Sequence, residues 1–338
     1  MPILKLKKSS LYTSLAILAA CGINAQAQTN EATTENSRAI EVIQVSATKR
    51  VTTIRETPLA VTAFDQNALD DNHVLQLDDL QGIVPSLHIA QNGTQNTPMV
   101  YVRGIGSSDQ TESGDPAVAF HVDGIYSARS QGASALMFDL EGAEILRGPQ
   151  GTLFGRNATG GVVNLHTAKP KLDYFEANAE ITVGNYDRRA TRAMVNLPLS
   201  DTFAIRVAAA MDKSEGYVDM APGSAMGDKY GATDLSATRI SAFWQPTDNF
   251  DWFLSYENFN DQGTGQIPTV TGGSSRSAYI QEPGFNDFVI DSFRTRLNYN
   301  FDSGITVSYI GGYTDSSRES VWDRSWSPTK YEWGGCVE

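Results

Sequence analysis

The chain has 338 residues, a formal net charge of −13 and only 19% charged residues. Its acidic balance argues against a nucleic-acid surface, because such surfaces are basic. Its length is enough for two domains.

The first 27 residues are typical of a signal peptide. Residues 5–8 give a basic start, residues 11–20 are apolar but too short to span a bilayer, and residues 25–27 (AQA) fit a cleavage site after Ala27. An alternative is the stretch LAAC at residues 18–21, which resembles a lipoprotein box with Cys21 as the acylated residue. Either interpretation predicts export from the cytoplasm.

A polar lead follows at residues 28–49. Residues 28–40 are small, polar and aperiodic, which is typical of disorder. Residues 41–47 (EVIQVSA) are β-prone. They fit either an ordinary first strand or a segment kept available for strand addition to a partner.

Residues 50–170 have the pattern of an α+β domain. Strands are predicted at residues 60–64, 99–103, 117–122, 143–146 and 161–165. A helix is predicted from an acidic cap at Asp65 to residue 74. A second short helical face carries Leu77, Leu80 and Ile83 and ends at Pro85.

The end of this domain is rich in glycine. Residues 146–170 read LRGPQGTLFGRNATGGVVNLHTAKP. The spacing excludes a phosphate-binding loop of the form G-x-x-x-x-G-K-[ST], and Arg156-Asn157 stands after Gly155. The ordinary explanation is a series of tight turns and close backbone approaches.

After Pro170 the pattern changes to seven segments that alternate with a period of two. Each has one apolar face, opposite polar residues that include Arg206, Arg239, Arg294 and Arg296. Short connections fall at residues 198–202, 246–250 and 302–304, and long polar ones at 213–235 and 261–291. This asymmetry is typical of a transmembrane β-barrel, whereas a soluble β-sandwich is the alternative.

Aromatic residues near the predicted strand ends favour the barrel, since Trp and Tyr collect at membrane interfaces. They are Trp244, Trp252, Tyr256, Tyr299 and Phe301. Seven strands are too few to close a bacterial barrel. Cys336 is also alone once the signal is removed. We therefore expect residues 171–338 to be the first part of a larger barrel, incomplete here.

The parts together resemble a TonB-dependent outer-membrane receptor. EVIQVSATKR (residues 41–50) resembles the TonB box, VYVRGIGSS (100–108) and VAFHVDGIY (118–126) resemble inner plug motifs, and AEILRGPQGTLFGRNATGGVVNLHTAKP (143–170) resembles the closing signature of the plug. The resemblance implies an N-terminal α+β plug domain followed by antiparallel transmembrane β-barrel strands. Two positions depart from the pattern, at Gly142-Ala143 and at His166.

The resemblance also implies site residues. Arg103 and Arg147 stand where plug arginines of the family pair with glutamates of the barrel wall. The implied TonB-binding residues are Glu41, Val42, Ile43, Gln44, Val45, Ser46 and Ala47. The implied plug–barrel contacts are Arg103, Gly104, Asp123, Gly124, Glu144, Arg147, Gly148, Pro149, Gly151, Gly155, Asn157, Gly160, Gly161 and Asn164.

The implied function is uptake of a scarce, bulky nutrient across the bacterial outer membrane, driven by energy that the TonB complex relays. The implied partners are TonB, outer-membrane lipid and a small transported ligand such as an iron-siderophore. No cofactor, resident metal or nucleic acid is expected, and the sequence does not choose among ligands.

Two other function classes compete with transport. One is a non-transporting, plug-like binding module or remnant. The other is an enzyme, for which four histidines (His73, His88, His121 and His166) are candidates. They match no H-E-x-x-H or G-x-S-x-G pattern, so we expect no enzyme.

Overall fold

The structure is a computed structural model that describes residues 44–45, 52–72, 74, 76–91, 98–107, 114–127, 137–220, 223–224, 229–264, 277–278 and 285–321. The chain separates into two units, Met1–Glu41 and Val42–Glu338, and all described residues lie in the second. The predicted signal peptide, the polar lead before Gln44 and all of the predicted TonB box except Gln44 and Val45 lie outside the described residues.

The first two strands form a short hairpin. β1 (Gln44–Val45) pairs antiparallel with β2 (Thr52–Thr53), with Gln44 opposite Thr53. The chain turns directly after β2, where the Thr57 hydroxyl donates to the Thr53 carbonyl at 2.9 Å. Part of the predicted TonB box is therefore already paired as a strand.

A five-stranded mixed sheet forms the centre of the plug domain. Its strands are β3 (Val61–Asp65), β6 (Val118–Val122), β7 (Ile125–Ser127), β8 (Leu140–Arg147) and β9 (Gly161–Thr167). Their order is β3-β8-β9-β6-β7, and only β6 and β9 run parallel. A separate antiparallel pair consists of β4 (Leu87–Gln91) and β5 (Pro98–Val102).

Short helices pack against this sheet. α1 (Gln66–Asp71) begins after Asp65, whose Oδ1 accepts a hydrogen bond from the Ala68 amide at 2.8 Å, so the predicted acidic cap is confirmed. The second predicted helical face is a 3₁₀ helix, Leu77–Gly82, and α2 is a single turn, Gly151–Phe154. None of the helices in the described part is long and apolar enough to cross a membrane.

A seven-stranded antiparallel sheet follows the plug, and we call it the barrel sheet. Its strands are β10 (Glu176–Gly184), β11 (Arg188–Ser200), β12 (Phe203–Ser214), β15 (Thr233–Thr247), β16 (Phe250–Asp261), β18 (Phe285–Asn300) and β19 (Thr306–Val321). Neighbours in sequence are neighbours in the sheet, and β10 and β19 are its edges among the described residues. The seven strands coincide with the seven predicted segments.

The two faces of the barrel sheet differ in chemistry. Apolar side chains on one face remain exposed, among them Ile181 at 74%, Ile240 at 48% and Tyr313 at 69%. On the central strands, alternate residues that include Arg206, Arg239 and Arg294 are buried. An exposed apolar face opposite a polar inner face is the arrangement of a wall that meets lipid.

The predicted long loops are wrong in their extent, because both contain strands. β18 begins at Phe285, inside the predicted loop 261–291. Its pairing with β19 extends toward the loop, beyond the residues that alternate with apolar ones. The loop regions also contain β13 (Val218–Met220), β14 (Lys229–Tyr230) and β17 (Ser277–Ala278), which form a small sheet. Strand length was underestimated because apolar alternation marks only the part of a strand that faces lipid.

Candidate functional site

The plug meets the barrel sheet first at Asp139, directly before β8. Arg206 of β12 holds its carboxylate by two nitrogens, with Nη2 to Oδ1 at 2.6 Å and Nε to Oδ2 at 3.0 Å. Arg206 Nη1 also contacts Glu176 Oε2 of β10 at 3.2 Å. Arg206 is 2% exposed, so this two-point ion pair is shielded from bulk water.

Arg239 of β15 holds the backbone beside the same aspartate. Its Nη1 donates to the carbonyl oxygens of Phe138 and Asp139, both at 3.0 Å, and its guanidinium lies 4.5 Å from the Phe138 ring centroid. Its Nε donates to Glu257 Oε2 of β16 at 2.7 Å. The barrel sheet, which is the wall around the plug, thus binds residues 138–139 in three ways. It contacts the Asp139 carboxylate, the Phe138 ring and the backbone carbonyls of both residues.

A second contact lies at Asp123, in the turn between β6 and β7. The turn needs left-handed backbone at Asp123 (φ 53°) and Gly124 (φ 85°). Arg296 of β18 donates from Nη2 to the Asp123 carbonyl at 2.6 Å, and Arg294 Nε lies 3.5 Å from Asp123 Oδ2. Thr167 fixes the carboxylate from inside the plug, by its amide at 2.9 Å and its hydroxyl at 2.8 Å.

Glu257 joins the two contacts. Its Oε2 accepts from Arg239 Nε at 2.7 Å and from Arg294 Nη2 at 2.8 Å. We call the whole set the clasp. Among the described residues it consists of Arg206, Arg239, Arg294, Arg296, Glu176 and Glu257 from the barrel sheet and Asp123 and Asp139 from the plug.

The clasp is electrically balanced, with four arginines and four carboxylates. Most of its charged groups are buried, with Arg239 at 1% and Glu257 at 3% exposed, whereas the Glu176 side chain is 29% exposed. Such a set contributes little net stability, but removing one member leaves a buried charge without its partner, which costs roughly 3–5 kcal/mol. The arrangement therefore fixes where the plug sits more than how stable it is.

The link between plug and barrel sheet is fixed separately, by Asn196 of β11. Its Oδ1 accepts from the Lys171 amide at 2.9 Å, and its Nδ2 donates to the carbonyls of Lys171 at 2.9 Å and Tyr174 at 2.8 Å. Lys171 Nζ donates to the Tyr174 hydroxyl at 2.6 Å, and this bond, helped by Glu176, raises the pKa of Lys171. The chain therefore leaves the plug at a defined point of the wall.

Some of the sequence-predicted contact residues meet the described part of the barrel sheet. Asp123 does so as described, and a Cβ on Gly124 would lie 3.5 Å from Arg296 Nη2. Glu144 and Asn164 are buried within the plug sheet, where Asn164 Nδ2 donates to Glu144 Oε2 at 3.1 Å and His166 Nε2 lies 3.3 Å from Glu144 Oε1. Their predicted role as wall contacts stays a prediction.

The glycine-rich stretch packs the plug against itself at the points that the structure describes. A Cβ on Gly160 would lie 2.8 Å from the Ile105 carbonyl, and one on Gly161 would lie 2.5 Å from the Leu146 carbonyl. Gly148 and Gly155 have left-handed backbone, with φ of 103° and 78°. Close neighbours within the plug therefore require glycine at Gly160 and Gly161, whereas backbone conformation favours glycine at Gly148 and Gly155.

The remaining predicted residues lie in turns of the plug. Arg103 (φ 53°) and Gly104 (φ 77°) form the turn after β5, and Pro149 and Gly151 lie at the start of α2. Asn157 donates from Nδ2 to Asp115 Oδ1 at 3.0 Å and to the Tyr126 hydroxyl at 2.9 Å.

The expected pairing of plug arginines with barrel glutamates stays a prediction for Arg103 and Arg147. In the described part of the chain, the ion pairs that join plug and wall have the opposite polarity, since plug aspartates meet barrel arginines.

Sequence reasoning did not assign the clasp. Its signal was present, because Arg206, Arg239, Arg294 and Arg296 occupy polar positions of strands that alternate with apolar residues. Asp139 gave no such signal, since it precedes a strand and lies 67 residues from Arg206. Nothing in the described part groups three or more histidines, cysteines or carboxylates so that they could hold a metal ion.

A small cavity of about 80 Å³ adjoins the clasp between plug and wall. Met137 and Phe138 line it from the plug, and Glu180, Arg192 and Asp212 line it from the barrel sheet. Since Phe138 belongs to both, the cavity opens directly beside the Asp139 contact.

Residues 53–162 match the family model of the TonB-dependent receptor plug domain. The chain is 31% identical to the pesticin receptor of Yersinia enterocolitica over 159 residues, which is 47% of this chain and 23% of the relative. It is 26% identical to the ferrioxamine B receptor of Salmonella typhimurium over 302 residues, covering 81% of this chain and 40% of the relative. The chain thus spans less than half the length of these relatives.

Solved structures show the same fold. The ferric yersiniabactin uptake receptor FyuA of Yersinia pestis superposes with a TM-score of 0.69 at 21% identity, over 79% of this chain and 42% of that one. A chain of the FpvAI–pyocin S2 complex superposes with a TM-score of 0.68 at 19% identity, over 82% and 37%.

Proposed function

We propose that this chain belongs to the TonB-dependent receptors and that it serves TonB-driven uptake of a bulky nutrient. On this proposal the protein is a receptor rather than an enzyme, and it lies in the bacterial outer membrane, as its relatives' family does. Coupling to TonB, transport itself and the choice of ligand are the proposed steps.

The observation that carries the proposal is the clasp. The plug is held on the inner face of the barrel sheet at two points, by Asp139 on Arg206 and by Asp123 on Arg294 and Arg296. Buried ion pairs of this kind do not open by small fluctuations, because each separated charge costs several kcal/mol. Uptake past the plug therefore needs work from outside the molecule, which a TonB-type partner supplies.

The hairpin β1–β2 supports coupling by strand addition. Gln44 and Val45 already lie in an antiparallel pair with Thr53 and Thr52. A partner strand would use the same backbone hydrogen bonds, so the segment needs extended backbone more than particular side chains. We infer that residues 41–47 are the point at which TonB pulls.

The names of similar proteins support one ligand class. Relatives are described as a ferrioxamine B receptor, a ferripyoverdine receptor and a ferric yersiniabactin uptake receptor. We propose a ferric chelate as the cargo of this protein.

Ile43→Pro tests the proposal. Proline removes a backbone donor and disfavours strand pairing, so uptake of radiolabelled ferric chelate into cells should be lost while binding at the cell surface stays normal. Ile43→Ala is the matched control, because it keeps the backbone donor and should retain uptake.

Retained uptake in Ile43→Pro cells would exclude coupling through this strand. Surface binding with no uptake in the unaltered protein would instead favour the alternative, a non-transporting binding module.

A further inference from the structure

We propose that the clasp arginines form a transit site for the anionic groups of the cargo, and that Asp139 and Asp123 occupy this site while the plug is at rest. The inference rests on the proposed function, since it assigns a place on the cargo's path. It adds a binding site inside the wall and the chemical class of ligand that the site takes, carboxylate or another oxyanion.

The geometry at Asp139 is that of carboxylate recognition. Arg206 presents Nε and Nη2 in parallel to the two carboxylate oxygens, at 3.0 and 2.6 Å. This two-point fork is the arrangement by which arginine recognises carboxylates and phosphates on ligands. The plug thus offers the wall the same chemical group that an anionic chelate carries.

The wall alone is positively charged at this level. Among the described residues it contributes four arginines and two glutamates to the clasp, so two positive charges remain when Asp123 and Asp139 are withdrawn. Arginine does not lose its proton in proteins, so these charges cannot be removed by titration. When the plug aspartates are withdrawn, the two uncompensated positive charges therefore attract other anions.

The plug aspartates are placed so that they can be withdrawn. Asp123 lies in a two-residue turn and Asp139 immediately before a strand, both with left-handed backbone, whereas the arginines lie inside long paired strands. A rearrangement of the plug moves turns and strand ends before it moves a paired barrel sheet. The arginines are therefore the fixed partners, and the aspartates are the exchangeable ones.

The neighbouring cavity supplies an approach. It lies toward the end of the wall opposite the turn Asp201–Thr202, because Arg188, beside the turn at residues 185–187, is among its lining residues. Its charged lining is balanced, because Arg188 and Arg192 stand beside Glu180 and Asp212, and Arg188 pairs with Asp212 at 2.6 Å. An anion entering from that end would pass this balanced set first and reach the arginines of the clasp next.

Ion selectivity gives the first test. The whole protein is placed in a planar bilayer, the plug is loosened with urea, and the reversal potential is measured across a KCl gradient. Relative to the unaltered protein, Arg206→Gln and Arg294→Gln should each lower the anion-to-cation permeability ratio by about twofold or more, since each removes a fixed charge from the path.

Two controls accompany this test. Arg206→Lys keeps the charge and should keep the selectivity. Arg189→Gln removes an equal charge from a side chain that is 71% exposed, outside the clasp, and should leave the ratio unchanged. Ratios in Arg206→Gln and Arg294→Gln equal to that of Arg189→Gln would overturn the proposal.

Chemical rescue gives a second test that needs no channel. Asp139→Gly removes the resting occupant, and sodium formate is then added to the purified protein. Formate should raise the urea midpoint of plug release in Asp139→Gly, and should have no effect in Asp139→Gly combined with Arg206→Gln. An equal response of both variants would overturn the proposal.

Neither measurement involves TonB or uptake, so the two proposals fail separately. If the arginine variants lose anion selectivity but the unaltered protein takes up no chelate, the anion site is supported and the transport role is excluded. If the unaltered protein takes up chelate but the arginine variants keep its selectivity, transport is supported and the anion site is excluded.

Discussion

Arg206 and Asp139 form a two-point ion pair across the boundary between wall and plug, although 67 residues separate them in sequence. The pair is nearly closed to solvent, with side-chain exposures of 2% and 6%. It is the shortest described ion pair between the two parts of the chain, and it sets the position of β8 against β12.

Breaking this pair from one side should release the plug. Asp139→Asn leaves Arg206 buried with only Glu176 as a charged partner, so we expect plug docking to weaken by about 3 kcal/mol. Arg206→Gln should cost a similar amount. The double variant should cost less than the sum, because neither uncompensated charge remains. Urea titration followed by protease sensitivity of the plug measures all three, and strict additivity would contradict a direct pair.

Glu257 should matter more than its lack of contact with the plug suggests. Glu257→Gln removes the charge that orients both Arg239 and Arg294, so both plug contacts should loosen together. Glu176→Gln is the comparison, because its side chain is 29% exposed and it touches Arg206 alone among the clasp arginines. Equal plug release in the two variants would show that Glu257 does not couple the contacts.

Gly161 should tolerate no side chain. Gly161→Ala places a methyl group 2.5 Å from the Leu146 carbonyl, within the β8–β9 pair, where backbone cannot yield easily. We expect loss of folded plug, measured as loss of protease-resistant protein in outer membranes. Gly151→Ala is the control, since nothing lies within 4 Å of the position that its methyl group would take, and it should accumulate normally.

Asn196 should control the link between plug and wall. Asn196→Ala deletes three hydrogen bonds to Lys171 and Tyr174, and the freed backbone becomes accessible. Trypsin should then cut after Lys171 at a rate clearly above that of the unaltered protein. Asn298→Ala, which removes hydrogen bonds with Asp251 and Ser308 elsewhere on the wall, should leave that rate unchanged.

The sequence indicated the fold where a local pattern carries it. Alternation placed Ile240 and Arg239 on opposite faces of one strand, and burial in the structure agrees. Turn chemistry likewise located Asp123-Gly124. The strands β4 and β7 were not predicted, because β7 has only three residues and β4 contains a single β-branched residue, Ile89.

The clasp could be anticipated only in part. Four arginines lie at polar positions of strands whose other face is apolar. This pattern indicated buried cations, and buried cations require partners. The carboxylate partners of these arginines depend on the path by which residues 137–139 enter the plug sheet. No periodic pattern in the sequence predicts that path. The same limit applied to Asn196, whose side chain replaces backbone partners for a linker 22 to 25 residues away.

The aromatic residues beside the short turns indicate how deep in the bilayer the clasp lies. Trp244, Trp252 and Tyr299 lie on the lipid face, each five residues along its strand from Arg239, Glu257 and Arg294 respectively. Five residues of a tilted strand rise about 13 Å, and the apolar band of such walls is about 25 Å tall. Arg239, Glu257 and Arg294 therefore lie near the bilayer midplane, about as far from one aqueous compartment as from the other. An anion that reaches them has left the water on one side and has not yet met the water on the other.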